Sequence, residues 1–511
     1  MLPRRPPDTH PIMPLDPMQP IDRHPCAKRA LLALLMLTVL SAGATGCDLL
    51  DPSNVTNPDT TQDAILDLPA VARPWLNGLE RQTALIYNSL VVPTEVSTDN
   101  YANTNNFYLN DDNLAFITDQ ATDVEDLQFT IADLRESALF GLTTVAENDE
   151  NTTNDQLAEF QFFKGLSYLL GGLYFKALPA ENNGPPVGSE AHLQRAVDAF
   201  DEALALSTGG DKEVGYHLGK ARAYFYLSDR ANALAAAEAA IAADGNDDYV
   251  RYVKYDGVNN VTGDDNTAQD ALFDRSTDDL QPLPRLDFLD PKYTSFRKNV
   301  DDEDDIPMFK IEEAYLIKAQ ARLADGAVDP ARETMKALVA VVAARPTGIL
   351  IDANEARSDR NPGSRPASED WMVRASPQDA FRAGLTRTRG VAGTEIEIPI
   401  ISGTSVDDAM VDAASTGDDA LELLYLMRQE IFMAEGIRAV DFGIKWPLHE
   451  NEATFNPAIT AEDRRPFIPA FLPSPADRMD AFTLNAGTME VTIELNMNRL
   501  LVENKSALPF F

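Results

Sequence analysis

The residues best suited to catalysis or metal binding are few in this sequence, and their spacing fits no common catalytic motif. After Cys47 the only histidines are His192, His217 and His449, and none lies at helical metal-ligand spacing from another His or Cys. The sequence has no Gly-x-Ser-x-Gly nucleophile elbow, no Gly-rich phosphate loop with a Lys, and no dinucleotide fingerprint. We therefore predict that the protein is not an enzyme, with no catalytic residue, no metal and no cofactor.

Carboxylates are abundant, and their abundance makes their spacing uninformative. The chain has 81 Asp and Glu against 43 Lys and Arg, which gives a formal charge of −38. A glycosidase-like acid pair stays an open alternative, because so many pairs are available. The acidic runs 264–266 and 301–305 lack the glycine spacing of a calcium loop and are interpreted as solvated loops. So much negative charge repels phosphate backbones and predicts that the protein does not bind nucleic acid.

The first 46 residues have the features of a lipoprotein signal peptide. A basic, Pro-rich lead precedes an apolar run at 30–40, which is too short to span a bilayer. Small residues at 41–46 then lead to Cys47, in a pattern that resembles a lipobox. The only other cysteine, Cys26, lies in the segment that would be removed. We predict lipid attachment at Cys47 and a tether over 47–69; a plain secretory signal with an incidental cysteine is the alternative.

Helical periodicity dominates the rest of the chain. Small and apolar residues recur as in tetratricopeptide repeats, in which two antiparallel helices approach closely and successive pairs stack. We expect such units over about 154–245 and 309–344, with the last strong helix at about 418–438. The predicted helices are 70–90, 124–146, 154–178, 191–206, the pair 214–227 and 230–243, and the pair 309–324 and 330–344.

Two long irregular stretches interrupt these helices. They cover 246–308 and 345–417, and the second contains β-like runs such as 395–401. Loops of this length inside a compact protein are usually functional or disordered. The tail 466–511 is rich in Pro at its start and has no pattern that assigns it to an element.

The segment 428–446 is the most specific in the chain. It predicts an amphipathic helix whose charged residues form an interior network, with Glu435 and Arg438 three apart on one face. Gly436 between them would allow close approach of a neighbour. The residues that define this signature are Arg428, Glu435, Gly436, Arg438, Asp441 and Trp446.

This signature resembles that of the SusD/RagB family of outer-membrane nutrient-binding lipoproteins, in which an Arg precedes Glu-Gly-x-Arg-x-x-Asp and an aromatic. The start at 47–52, the aromatic helix at 162–179 and the repeat at 311–342 are also similar to family members. Met427 and Ile431 stand where the family commonly has Glu, and the C-terminal ending departs from the usual one. The chain is thereby identified as a divergent member.

The resemblance implies a mainly α fold, in which tetratricopeptide-like helix pairs build a right-handed helical scaffold with long loop inserts and a few short β-strands. The domain would span 70–511, with variable inserts at 246–308 and 345–417 and the signature helix at 418–446. Because binding loops vary in this family, no ligand residue is carried over by motif. Aromatic and amide side chains suit glycans, and the candidates of this kind are Asp99, Asn100, Tyr101, Asn103, Asn106, Phe107, Tyr108 and Trp371.

For function, the resemblance implies a lipid-anchored protein of the outer membrane that faces the cell exterior. It would capture an oligosaccharide or peptide and deliver it to a TonB-dependent transporter of the SusC/RagA kind, without catalysis. One alternative is a lipid-anchored tetratricopeptide scaffold for envelope proteins, which predicts more regular repeats and shorter inserts. Another is a surface glycoside hydrolase or peptidase, which predicts turnover by the purified protein.

Overall fold

The computed structural model describes residues 70–102, 117–255, 281–290, 292, 305–351, 366, 368–474 and 478–511. These residues are mainly helical, with short strands between the helices. The prediction of a mainly α fold with helix pairs and a few short strands is therefore confirmed. The predicted signal peptide, Cys47 and the tether lie outside the described residues. No described helix is both long and apolar enough to cross a membrane.

Helices account for most of the described chain. The π-helical segment Gly141–Val145 extends the second helix, and short 3-10 helices lie at Pro284–Leu289 and Lys505–Ala507. The α-helices are α1 Ala72–Val96, α2 Thr122–Phe140, α3 Ala146–Asn148, α4 Asn154–Tyr174, α5 Ser189–Leu206, α6 Asp211–Tyr226, α7 Arg230–Asp244, α8 Glu312–Ala324, α9 Val328–Ala343, α10 Asp408–Ala413, α11 Gly417–Ile431, α12 Arg438–Asp441, α13 Glu450–Phe455 and α14 Met497–Glu503.

The strands are short and pair in small sheets. Antiparallel pairs join β1 to β5, β2 to β3, β4 to β6 and β7 to β9, while β11 lies between β10 (antiparallel) and β8 (parallel). The strands are β1 Tyr101–Ala102, β2 Ala177–Pro179, β3 Pro186–Gly188, β4 Val250–Val253, β5 Gln281–Pro282, β6 Ile306–Lys310, β7 Thr347–Ile351, β8 Met372–Arg374, β9 Glu395–Pro399, β10 Phe482–Asn485 and β11 Glu490–Ile493.

The predicted helix pairs form with small changes at their ends. Between α6 and α7 the chain turns at Ser228, which has a φ of 58°, and the Asp229 side chain caps α7 by accepting from the Asn232 N–H. Gly326, with a φ of 72°, makes the turn between α8 and α9. Helix α8 begins at Glu312, three residues later than predicted, because 306–310 pairs with β4 as strand β6.

The two irregular stretches contain most of the strands. Strand β9 covers five residues of the predicted β-like run and pairs with β7, and Leu350, Ile396 and Ile398 form a small buried cluster there. Strand β8 belongs to the same sheet as β10 and β11. The tail, which the sequence pattern did not assign, therefore folds back as a hairpin that pairs with the second insert.

The signature helix is shorter than predicted. Helix α11 ends at Ile431, and a turn with left-handed residues at Ala434 (φ 61°) and Gly436 (φ 78°) leads into α12. Carbonyl groups at this helix end accept hydrogen bonds from lysines elsewhere in the chain: Lys292 donates to the Ile431 oxygen at 2.8 Å. Distant side chains thus satisfy the orphaned carbonyls of the last turn, so the helix can end inside the protein.

Candidate functional site

The loop after α1 and the turn after α11 meet in the interior through buried ion pairs. Arg438 Nε donates to Asp99 Oδ1 at 2.7 Å, and Arg438 Nη2 donates to Oδ2 at 3.0 Å. Arg285 also donates to Asp99 Oδ2, at 2.5 Å. Burial opposes ionisation of Asp99, but the Arg438 and Arg285 guanidinium groups hold the pKa of that carboxyl below its usual value. All three side chains are buried, so these contacts fix the packing of the signature segment.

Glu95, four residues before Asp99, and Asn100, the next residue after it, complete this contact. Glu95 Oε1 accepts from the Gly436 backbone N–H at 3.0 Å, and Oε2 accepts from the Asn100 amide at 2.6 Å. Asn100 Oδ1 accepts in turn from Gln429 Nε2 at 2.8 Å. Burial raises the pKa of Glu95 to about 7, against the opposing hydrogen bonds from Asn100 and Gly436.

Glu435 and Arg438 have separate partners, which corrects the expectation that they pair on one helix face. Glu435 Oε1 accepts from Lys292 Nζ at 2.8 Å and from Lys310 Nζ. The helix ends before both residues, so their spacing of three no longer places them one turn apart on a continuous helix. Arg438 binds Asp99 instead.

The other signature residues connect α11 and α12 to the helix pairs. Arg428 Nε donates to both oxygens of Asp441 at 2.8 Å, and Arg428 Nη2 donates to the Tyr226 hydroxyl at 2.9 Å. Trp446 is buried, and its ring lies 6.2 Å from that of Phe175 in an edge-to-face arrangement. The charged side chains of the signature therefore all contact other protein groups in the interior.

The predicted ligand-binding loop is interior where the structure describes it. Asp99, Asn100 and Tyr101 are fully buried, and Tyr101 pairs with Pro282 in the ladder between β1 and β5. Their polar character, which suggested a ligand, serves protein contacts in the case of Asp99 and Asn100. The remaining predicted loop residues, Asn103, Asn106, Phe107 and Tyr108, lie outside the described residues and stay predictions.

Trp371 is half-buried and immediately precedes β8. Val373, two residues later, lines a cavity of about 430 Å³ beside α11. Three charged groups of that cavity are engaged with each other, since Arg499 binds both Asp379 and Glu422. No ligand role for Trp371 follows from these contacts, and the role stays a prediction.

A cleft between α2, the β2–β3 turn and α13 has the features of a ligand site. Its volume is about 500 Å³, within the range of small-molecule and cofactor sites. Helix α2 presents one face to it, and the turn after β2 forms a second wall. The lining residues are Glu125, Gln128, Phe129, Ala132, Asp133, Arg135, Glu136, Leu178, Pro179, Glu181, Asn182, Asn183, His449, Asn451, Glu452 and Phe455.

Two phenylalanines of this cleft are unusually exposed. The side chain of Phe129 on α2 is 70% exposed and that of Phe455 at the end of α13 is 81% exposed. Leaving two aromatic rings in water costs the free energy that their burial would contribute. Grouped exposed apolar residues in a concave site are typical of ligand or partner binding.

The polar groups of the cleft are held in place by contacts between α2 and α13. Gln128 Oε1 accepts from the His449 backbone N–H at 3.0 Å, and Asn451 Nδ2 donates to Glu125 Oε1 at 2.6 Å. On α2, burial raises the pKa of Asp133, while a hydrogen bond from Gln82 opposes that shift. The wall of the cleft is therefore ordered before a ligand arrives.

In the part of the chain that the structure describes, His192 and His449 contact protein groups. No group of three His, Cys, Asp or Glu there could hold a metal ion. His192 is buried, its Nε2 lies 2.8 Å from the Leu178 carbonyl oxygen, and burial lowers its pKa to about 4. His449 Nδ1 accepts from the Asn451 N–H at 3.2 Å at the start of α13.

The exposed positions of Phe129 and Phe455 were not predicted from the sequence. The available signal was weak: Phe129 stands one helical turn after Glu125, on a face that also carries Ala132, Asp133 and Glu136. An isolated aromatic on a polar helix face indicates either an unpredicted partner element or an exposed ring, and the pattern alone does not distinguish the two.

No protein-family model matches the chain, and no curated protein matches it. Several solved structures are similar to it. A SusD-like carbohydrate-binding protein from Bacteroides vulgatus is 13% identical, with a TM-score of 0.45 over 73% of this chain and 82% of its own. A SusD superfamily protein from Bacteroides fragilis is 14% identical, with a TM-score of 0.47 over 78% and 100%. A SusD-like carbohydrate-binding protein from Bacteroides fragilis is 11% identical, with a TM-score of 0.44 over 86% and 99%. The chain resembles SusD-like proteins.

Proposed function

We propose that this protein captures an oligosaccharide nutrient at the cleft between α2 and α13 and does not transform it. The observation that carries the proposal is the pair of exposed rings, Phe129 and Phe455, on a cleft lined by amides and carboxylates. Sugar rings have apolar C–H faces and polar edges, so aromatic faces and hydrogen-bonding side chains bind them together. Asn182, Asn183 and Asn451 supply exposed amides for the hydroxyl groups.

We further propose that the chain is a divergent member of the SusD/RagB family. The proposal is supported by the signature, whose charged residues and Trp446 are buried. A binding protein of this family would be held at the outer membrane by lipid on Cys47 and would face the exterior. Its partner would be a TonB-dependent transporter, to which it delivers the captured ligand.

Ligand binding is tested with a glycan screen followed by calorimetry on Phe129→Ala, Phe455→Ala and the double variant. We expect each single variant to weaken binding about tenfold, because an aromatic contact contributes about 0.5–1.5 kcal/mol beyond the apolar area it buries. Phe467→Ala is the matched control, since Phe467 is also 52% exposed but does not line the cleft. Equal affinities for wild type and double variant would place the ligand elsewhere, and conversion of a glycan by the purified protein would favour the hydrolase alternative.

The anchor and the partner are tested together in native membranes. Gentle detergent extraction, capture on a C-terminal tag and mass spectrometry should recover a stoichiometric TonB-dependent barrel, and Cys47→Ser should shift the protein to the soluble fraction. Recovery of envelope assembly proteins without a barrel would instead favour the scaffold alternative. An unchanged membrane fraction for Cys47→Ser would contradict the lipid anchor.

A further inference from the structure

We infer that the ligand of the α2–α13 cleft is a cationic glycan, an oligosaccharide that carries free amino groups. The inference rests on the proposed function and adds the charge of the substrate to it.

Negative charge dominates the lining of the cleft. Five carboxylates face it from three elements: Glu125, Asp133 and Glu136 on α2, Glu181 in the β2–β3 turn, and Glu452 on α13. Clefts lined by one sign of charge concentrate that field and attract ligands of the opposite sign. A uronic-acid or sialic-acid oligomer would meet repulsion from every wall, whereas a glycan with ammonium groups would be attracted.

The two potential cations of the lining are turned to protein groups. Arg135 is buried, with Nη1 donating to the Pro179 oxygen at 2.7 Å and Nε donating to Glu136 at 2.9 Å. His449 Nδ1 accepts a hydrogen bond from the Asn451 N–H, so the ring in this arrangement carries its proton on Nε2, which lies 3.8 Å from Glu125. Arg135 is therefore held by protein groups, and His449 Nε2 faces a carboxylate.

The exposed phenylalanines also favour a positively charged ligand. An ammonium group over an aromatic face is attracted by the ring quadrupole, and this attraction adds to stacking of the sugar C–H face. Phe129 lies one helical turn from both Glu125 and Asp133 on α2. A ring with carboxylates on either side along the helix is suited to a sugar whose substituent is an amine.

The edge of the cleft favours a glycan over an extended peptide. Peptides that add to a sheet edge need free backbone groups there. At β2 these groups are occupied: the Leu178 oxygen contacts His192 at 2.8 Å and the Pro179 oxygen accepts from Arg135. Pro179 itself has no N–H, so the strand does not provide a hydrogen-bonding ladder for a peptide.

The test compares three glycans of equal length by calorimetry on the full chain in detergent. They are a β-linked glucosamine hexamer, its fully N-acetylated counterpart and a polyuronate, measured below neutral pH where the amines are protonated. We expect the glucosamine hexamer to bind about tenfold more tightly than the acetylated one, since exposed charge pairs and cation–π contacts are individually modest. The polyuronate should not bind, and added salt should reduce the preference.

Variants distinguish the effect of the cleft carboxylates on glycan affinity from the effect of the phenylalanine rings. Glu125→Gln with Glu452→Gln should lower the preference for the free amine to about threefold, and the readout is the ratio of the two hexamer affinities in each protein. Glu503→Gln, on the exposed part of α14, is the control and should change the affinity for neither hexamer. Phe129→Ala should weaken both hexamers.

The outcomes test the charge of the ligand separately from glycan capture at the cleft. Equal binding of the two hexamers, or tighter binding of the polyuronate, would overturn the charge inference and leave capture at the cleft intact if Phe129→Ala still weakens binding. Binding of a Lys-rich peptide that depends on Phe129, with no glycan bound, would overturn the glycan class. Glycan affinity that is unchanged in both Phe129→Ala and Phe455→Ala would contradict the proposed function as well.

Discussion

Gly436 occupies a position where any side chain would be both strained and crowded. Its φ is +78°, and a Cβ built there would lie 3.2 Å from Thr94 Oγ1 and 3.4 Å from the Tyr174 hydroxyl. Left-handed backbone costs an L-residue about 1–2 kcal/mol. The glycine therefore allows the signature turn to pass between α1 and α4.

We expect Gly436→Ala to lower the free energy of unfolding by more than Gly326→Ala does. Gly326 has a similar φ of +72° but nothing within 4 Å of its Cβ position, so the control measures backbone strain alone. Strain should cost about 1–2 kcal/mol in both variants, and crowding should add about 1 kcal/mol at Gly436. Urea unfolding followed by circular dichroism measures both free energies of unfolding. Equal decreases in the two variants would show that the neighbours of Gly436 move aside without cost.

Glu95 makes the stability of the protein depend on pH. Burial raises the pKa of Glu95 from 4.5 to about 7. The folded protein then binds more protons than the unfolded chain between these values, so the contribution of Glu95 to stability is fully present below about 4.5 and is lost as pH rises through about 7.

Glu95→Gln should flatten this part of the pH profile. The amide cannot titrate, so the decrease in unfolding free energy between pH 4.5 and 7 should be smaller than in the wild type. The readout is the slope of stability against pH, because loss of the contact with Asn100 also shifts the whole curve. Parallel curves for the two proteins would mean that Glu95 does not titrate in this window.

At the scale of elements, three helices approach closely around one aromatic ring. Cβ atoms built at Gly165 on α4 and Gly219 on α6 would lie 2.9 Å and 2.6 Å from the ring of Phe200 on α5. Phe200 itself is fully buried. These two glycines let helices α4, α5 and α6 pack around the ring, and no side chain fits at either position without movement of the ring.

The same substitution should have opposite effects at two helical glycines. Gly219→Ala should destabilise the protein by about 1–3 kcal/mol through overpacking against Phe200. Gly78→Ala on α1 should stabilise it by about 0.5–1 kcal/mol, because Ala has the higher helix propensity and nothing lies within 4 Å of the added methyl. Chemical unfolding measures both, and recovery of Gly219→Ala by Phe200→Leu would identify the ring as the cause.

Some helix ends can be predicted from the local sequence pattern, and others cannot. Apolar periodicity and small residues place the helix pairs to within three residues of their observed ends, since both depend on neighbours one turn away. The end of α11 at Ile431 was not predicted, because it depends on Lys292 and Lys310, which bind the carbonyl oxygen from distant parts of the chain. A local pattern contains no information on such partners.

Across the whole molecule, ion pairs join segments that are far apart in sequence. Asp99 and Arg438 are 339 positions apart, and Arg222 Nε binds Glu313 at 2.7 Å between α6 and α8. Removing one member of a buried pair leaves a charge without compensation, which is more costly than the net contribution of the pair itself. The stability of the fold therefore depends on contacts that no single element contains.

Arg438→Met should destabilise the protein by about 3 kcal/mol, near the lower end for a broken buried pair because Arg285 still contacts Asp99. Arg465→Met is the control: Arg465 is 72% exposed beside Glu462, and its loss should leave the unfolding midpoint unchanged. Asp99→Asn should cost less in the Arg438→Met protein than in the wild type, since the contact between Arg438 and Asp99 is already lost there. Additive losses in a double-mutant cycle would show that the two side chains are not coupled.

The sequence by itself determined the helical class of the protein, the positions of its helix pairs and the segment that stands out as its signature, because each depends on residues within a turn or two of one another. Tertiary structure decided which side chains face solvent. Asp99 and Asn100 have the composition of a ligand loop but are buried, since Arg285, Gln429 and Arg438 compensate their polar groups. Phe129 and Phe455 have the composition of a core but stay exposed at the cleft. Burial depends on the partners that distant segments bring, and those partners are known only once the chain has folded.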